Sequence, residues 1–93
     1  MVNREPDPQA FQVESDKRVR KFLNRHPDLA EKWPDIREYL TQQPHTGTHI
    51  THLKGQYQCS RRWRFDPYRI LFDIDNSARR VYVFDADTRQ NIY

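Results

Sequence analysis

Asp66-Pro67 separates two runs rich in aromatic and β-branched residues, Arg61 to Phe65 and Tyr68 to Phe72. A turn signal between two such runs restricts the stretch to a β-hairpin. A two-residue loop puts Pro67 at the third turn position, where proline is disfavoured, and the alternative is a loop from Phe65 to Tyr68. The register is the same in both. Arg64 lies opposite Arg69, Trp63 opposite Ile70, Arg62 opposite Leu71 and Arg61 opposite Phe72. Alternation along each strand then places Arg62, Arg64 and Arg69 on one face and Trp63, Phe65, Tyr68, Ile70 and Phe72 on the other. One face is a core and the other an arginine cluster. Like charges directly opposed on a sheet cost about 0.2 to 1 kcal/mol per pair, so Arg64 facing Arg69 is a choice that stability alone does not favour. An anion bridging the two guanidinium groups removes the conflict. So does splaying into water or pairing with Asp73 or Asp85, and both arrangements stay open at this level.

The hairpin also holds the positive excess of the chain. Lys54 to Arg69 carries Lys54, Arg61, Arg62, Arg64 and Arg69 against Asp66 alone, a net +4 where the whole chain is +3. Before Lys54, eight basic and eight acidic residues balance. The pattern describes a local cationic surface rather than a generally basic protein.

A chain of 93 residues has room for one domain and a single small core, so a site on it has to be a surface groove. Aromatic residues at 13% supply large units of buried area and argue against disorder. The single cysteine, Cys59, excludes an internal disulfide and any cysteine-rich zinc site, and fits a reducing compartment. No apolar run is long enough for a signal peptide or a membrane span. The expectation is a soluble cytoplasmic protein.

Residues 1–8 carry two prolines and no apolar periodicity and read as a flexible tail, with a single domain over residues 9–93. Phe11 and Val13 alternate with polar neighbours, the pattern of a short half-buried strand, and Ser15 or Asp16 can cap a helix starting directly after it. Apolar residues then fall at 19, 22, 23, 29, 30, 33, 36, 39 and 40, the spacing of two helices buried on one side. Pro27 suits the first turn of the second helix. At Pro34 that helix either kinks or gives way to a new helical turn, and Pro44 ends the helical region. Pro44 to His52 reads as a loop. Its three histidines, His45, His49 and His52, have no acid or cysteine beside them, which argues against a metal site. Asp75-Asn76-Ser77 is a turn, and Val81 to Phe84 a further strand. The sum is an α+β two-layer domain: an N-terminal strand on the edge of a C-terminal antiparallel meander, with the helices covering one face.

The order of these landmarks resembles the RelE/ParE toxin superfamily of type II toxin–antitoxin systems. The residues that carry the likeness are Phe22-Leu23, Leu53-Lys54-Gly55, Arg62 to Arg64, Pro67-Tyr68-Arg69-Ile70-Leu71-Phe72, Val81 to Phe84, and Arg89 to Tyr93. The resemblance implies a RelE-like fold and a toxin silenced by a cognate antitoxin. In the RelE branch such toxins cleave messenger RNA in the ribosomal A site without a metal or other cofactor; in the ParE branch they poison DNA gyrase. A degenerate member keeps only antitoxin binding. Carried over residue by residue, the RelE-branch site falls on Arg62, Arg64, Arg69, Arg89 and Tyr93.

The residue types suit that chemistry. Guanidinium forks bind phosphate oxygens bidentately and stabilise a crowded anionic phosphorane, and a tyrosine ring stacks on any base. Arginines stand where the family often carries lysine, and arginine gives up its proton poorly. Lys54, His49 and His52 are the remaining candidates for proton transfer, with Arg61 as a further RNA contact. The implied partners are an antitoxin, the ribosome and mRNA, with no membrane.

Overall fold

The computed structural model describes residues 10–53 and 60–88. Five strands form one mixed sheet: β1 (Gln12–Ser15), β2 (Ile50–His52), β3 (Ser60–Phe65), β4 (Tyr68–Asp75) and β5 (Arg80–Thr88), in the order β1-β5-β4-β3-β2. Helices α1 (Lys17–Arg25) and α2 (Pro27–Gln42) connect β1 to the rest of the sheet. β1 runs parallel to β5, and every other pairing is antiparallel.

The apolar rhythm of the helices explains where they sit. Val19 and Leu23 of α1 and Leu29, Ile36 and Leu40 of α2 are buried in one cluster with Trp63, Ile70, Phe72, Val81 and Val83 of the sheet. Asp16 caps α1, its carboxylate accepting from the Arg18 N–H at 2.8 Å, and Pro27 opens α2 with Asp28 in the first turn. Pro34 does not end α2. The helix continues to Gln42 with Pro34 on its exposed side.

The hairpin register is the expected one, from Arg61 opposite Phe72 to Phe65 opposite Tyr68. Its loop is the two-residue one, Asp66-Pro67, joined by a cis peptide bond. One expectation fails. Residues 50–52, read as loop, pair with β3 as an edge strand. Three residues with one apolar member carry no alternation to read, and the backbone bonds to β3 rather than any local preference hold them extended. The bonds from Arg64 N–H to His49 O at 2.8 Å and from Leu53 N–H to Ser60 O at 3.0 Å frame that pairing.

Gly47 shapes the approach to β2. Its φ is +157°, and a Cβ there would collide with the Tyr39 ring, lying 2.9 Å from Cζ and closer still to the hydroxyl. That hydroxyl is committed, since it donates to Thr46 O at 2.9 Å. Gly47→Ala is expected to destabilise the fold by about 1 to 3 kcal/mol through overpacking. Chemical denaturation with an unchanged m-value checks it.

Candidate functional site

The face of the sheet away from the helices carries Arg62, Arg64 and Arg69. Arg69 is buried, its side chain only 8% exposed, whereas that of Arg64 is 56% exposed. The conflict between the opposed pair is resolved inside the hairpin. Asp66 accepts from Arg69 NH1 at 2.9 Å through Oδ1, and from Arg64 Nε at 3.4 Å and NH2 at 3.2 Å through Oδ1 and Oδ2. Arg69 NH1 also donates to Tyr68 O at 2.9 Å. The two hydrogen bonds from the arginines, Arg64 first and then Arg69, hold the Asp66 carboxyl below its ordinary value. Neither acid weighed from the sequence does this. Asp73 accepts from Ser60 Oγ at 2.5 Å, and Asp85 lies 3.7 Å from Arg18 and accepts from the Ala86 N–H. Alternation points to acids within strands, whereas a loop carboxylate is free of that rule and folds back over both arginines.

Arg62 stands beside this pair in a more apolar setting. Leu53 and Leu71 are buried on the same face, with Phe84 packed against them. A register shift at Leu71/Phe72 sets Leu71 opposite Asp85 and Phe72 opposite Val83, which leaves Phe84 as the extra residue of a bulge. Burial, followed by the charges of Arg69 and Arg64, holds the Arg62 guanidinium below the ordinary arginine value. Its Nε is buried with no hydrogen-bond partner among the described residues, a cost of about 1 to 3 kcal/mol for a donor left unpaired. A ligand oxygen would remove that cost.

The structure separates Arg61, His49 and His52 from this cluster. Arg61 lies on the helix side of the sheet, where its Nε donates to His45 O at 3.1 Å, and His52 stands opposite it in the register. His49 stacks on Trp63 with ring centroids 5.1 Å apart, in a groove that Tyr39, Ile36 and Lys32 also line. His45 meets the Phe11 ring edge-on and pairs with Asn76 Oδ1 at 2.5 Å. Strand alternation puts His52 and Arg61 away from the arginine face. His49 precedes β2, and its ring follows Trp63. Lys54, Arg89 and Tyr93 lie outside the described residues, as do the tail over residues 1–8 and Cys59.

A second cationic surface went unread in the sequence. Helix α1, KRVRKFLNR, holds five basic residues and no acid. Counting charge over the whole N-terminal half hid it, because the acids that balance it lie on other elements. Arg18 reaches Asp85 and Arg20 NH1 donates to Ser15 O at 2.8 Å. Lys17, Lys21 and Arg25 are exposed along a groove of about 630 Å³ beside Asp85 and Asp87. Summing charge by predicted helix is the signal that finds this ridge.

The hairpin is anchored to the helices through Tyr68. Its hydroxyl donates to both carboxylate oxygens of Asp28, at 2.8 and 2.9 Å, and this bond, followed by desolvation, raises its pKa above the ordinary 10.0. A tyrosine whose folded pKa is raised contributes stability below its unfolded pKa and loses it as pH climbs through the folded one. The melting temperature is therefore expected to fall as pH rises past about 10. In Tyr68→Phe it should start lower at neutral pH and lose part of that alkaline slope. Thermal melts between pH 7 and 11 check both.

Comparison with solved structures places this architecture. The toxin–antitoxin complex RelBE2 from Mycobacterium tuberculosis matches with a TM-score of 0.73 at 20% identity, over 86% of this chain and 99% of that one. The archaeal RelE–RelB complex from Pyrococcus horikoshii OT3 matches with a TM-score of 0.73 at 19% identity, over 85% and 94%. YafQ from Escherichia coli strain BL21(DE3) matches with a TM-score of 0.67 at 12% identity, over 89% and 98%. The chain has the RelE-like toxin fold. No protein-family model matches it, and no curated protein matches it in sequence.

Proposed function

We propose that this chain is the toxin of a prokaryotic type II toxin–antitoxin pair, a cytoplasmic endoribonuclease that cuts mRNA in the ribosomal A site and is held silent by a cognate antitoxin. The observation that carries the reading is the single face bearing Arg62, Arg64 and Arg69 on a RelE-like fold.

The geometry suits one half of the reaction well. The ribose 2′-oxygen attacks the adjacent phosphorus as its proton leaves, and the 5′-oxygen departs and takes up a proton. The strand ends carry a 2′,3′-cyclic phosphate and a 5′-hydroxyl. Between these steps the phosphorane gathers negative charge, and preorganised guanidinium donors are strongest where charge develops. Arg69, fixed by Asp66 and Tyr68 O, is such a donor. Arg62 adds a buried Nε that has no partner to give up among the described residues. Arg89 and Tyr93 complete the proposed site as a further phosphate contact and a stacking surface for a base. For proton transfer, His49 and His52 stand off the arginine face, and Lys54 is the remaining candidate.

The antitoxin reading has its own support. The exposed cations Lys17, Lys21 and Arg25 on α1 form a ridge that suits an acidic segment folding as it binds. No helix among the described residues is long and apolar enough to cross a membrane.

Two assays on the purified chain test the function. Protein synthesis in a bacterial translation extract should stop, and DNA gyrase should supercoil at its normal rate. Blocked supercoiling with intact translation would instead support gyrase as the target. Both assays unaffected would leave a chain that only binds its antitoxin.

A further inference from the structure

We propose that Asp66 is a resident stand-in for the substrate phosphate, bridging Arg64 and Arg69 in the free protein and giving way when RNA arrives. The inference rests on reading the arginine face as a phosphate site. One carboxylate spans both guanidinium groups, as a phosphate would, through contacts of 2.9, 3.2 and 3.4 Å. The two arms of the bridge differ. Arg69 is buried and tied to Tyr68 O, so its position does not depend on Asp66 alone. Arg64 and Asp66 are each more than half exposed, at 56% and 54%, and their contacts are the longer ones.

Exchange is therefore open from the solvent side. An incoming phosphate meets the forks of Arg64 while it is repelled by the Asp66 carboxylate, which stays ionised because the arginines depress its pKa. Until displaced, Asp66 competes for the donors that the phosphate needs. Free RNA in solution competes poorly against a carboxylate held two residues from Arg64 and three from Arg69. A phosphate presented at a fixed position, as on mRNA held in a ribosome, has an effective concentration that overcomes it. Asp66 in this role is a specificity-determining residue. It favours presented RNA over free RNA.

The test is binding of a fluorescein-labelled, fully 2′-O-methylated RNA hexanucleotide to the full chain at low salt. Asp66→Asn keeps the shape and removes the charge, and Asp66→Ser is a second form of the same change. Each should bind about 3- to 10-fold more tightly than the parent chain at an unaltered fold by circular dichroism. Asp73→Asn changes the net charge equally on the same strand face and should alter binding by less than about 2-fold. Weaker or unchanged binding by both Asp66 variants would show Asp66 to be a brace for the arginines and overturn the proposal. An equal gain in Asp73→Asn, or no binding by any of the proteins, overturns it as well. A gain at Asp66 without any effect of the parent chain on translation would leave phosphate exchange standing while the ribonuclease reading falls. Arrested translation without that gain does the reverse.

Discussion

Replacing Arg64 and Arg69 together by alanine is expected to lower mRNA cleavage by about a thousandfold or more and to restore protein synthesis in an extract poisoned by the parent chain. Loss of one preorganised donor to a developing oxyanion costs about a hundred- to a thousandfold in rate, and two donors acting on one phosphorane fail together rather than additively. Arg64→Lys separates charge from shape. It keeps the cation and loses the bidentate fork, so an intermediate loss is expected from it. Arg64 is exposed, so Arg64→Ala alone should lower cleavage at an intact fold. The double variant also empties the buried Arg69 position, and the structural control on each variant separates loss of site from loss of fold. The rate of mRNA disappearance in a purified translation mixture, beside far-ultraviolet circular dichroism of each variant, checks the prediction.

Phe72→Ala is expected to bring the largest loss of stability, about 3 to 5 kcal/mol. Phe72 is fully buried at the centre of β4. It stands opposite Arg61 on one side and Val83 on the other, and shares its core with Val19, Leu29 and Leu40 of the helices. Removing the ring leaves a void in the middle of that cluster. Domains of this size have total stabilities of about 5 to 15 kcal/mol, so the variant should be largely unfolded in mild denaturant. Urea titration followed by tryptophan fluorescence measures it, because Trp63 lies in the same core.

The parts of this fold that could be read in advance are those governed by periodicity. Hydrophobic spacing from Val19 to Leu40 is helical, and both helices bury the expected stripe. Alternation on either side of Asp66-Pro67 fixes the hairpin register, and with it the grouping of Arg62, Arg64 and Arg69. Features outside the reach of periodicity were not legible. Strand β2 exists because β3 offers it a partner, and its own three residues carry no pattern. Pro34 breaks the rule for helix interiors without ending α2, since the flanking Trp33 and Ile36 still pack against the core. The Asp66 bridge depends on a loop side chain turning back over its own hairpin, an arrangement that strand alternation does not describe. The ridge on α1 was legible, but only to a charge count taken helix by helix.

The site was therefore half visible. Residue types and face were readable for the three arginines, whereas partnership was not: neither the bridging of Arg64 to Arg69 nor the buried Arg62 Nε, without a partner among the described residues, is dictated by residue order. His49 shows why the distinction matters. It was a candidate for proton transfer at the arginines, yet its ring lies on Trp63, on the opposite side of the sheet.

The most direct measurement of the central claim is the position of the mRNA ends on ribosomes exposed to the chain. Primer extension on a defined message, with ribosomes halted at a known codon, should give a cut inside the codon occupying the A site, carrying a 5′-hydroxyl on its downstream fragment. The cut should vanish when Arg64 and Arg69 are both alanine. Intact message on those ribosomes, or cuts of the same strength from the double variant, would contradict an arginine-based ribonuclease on this face.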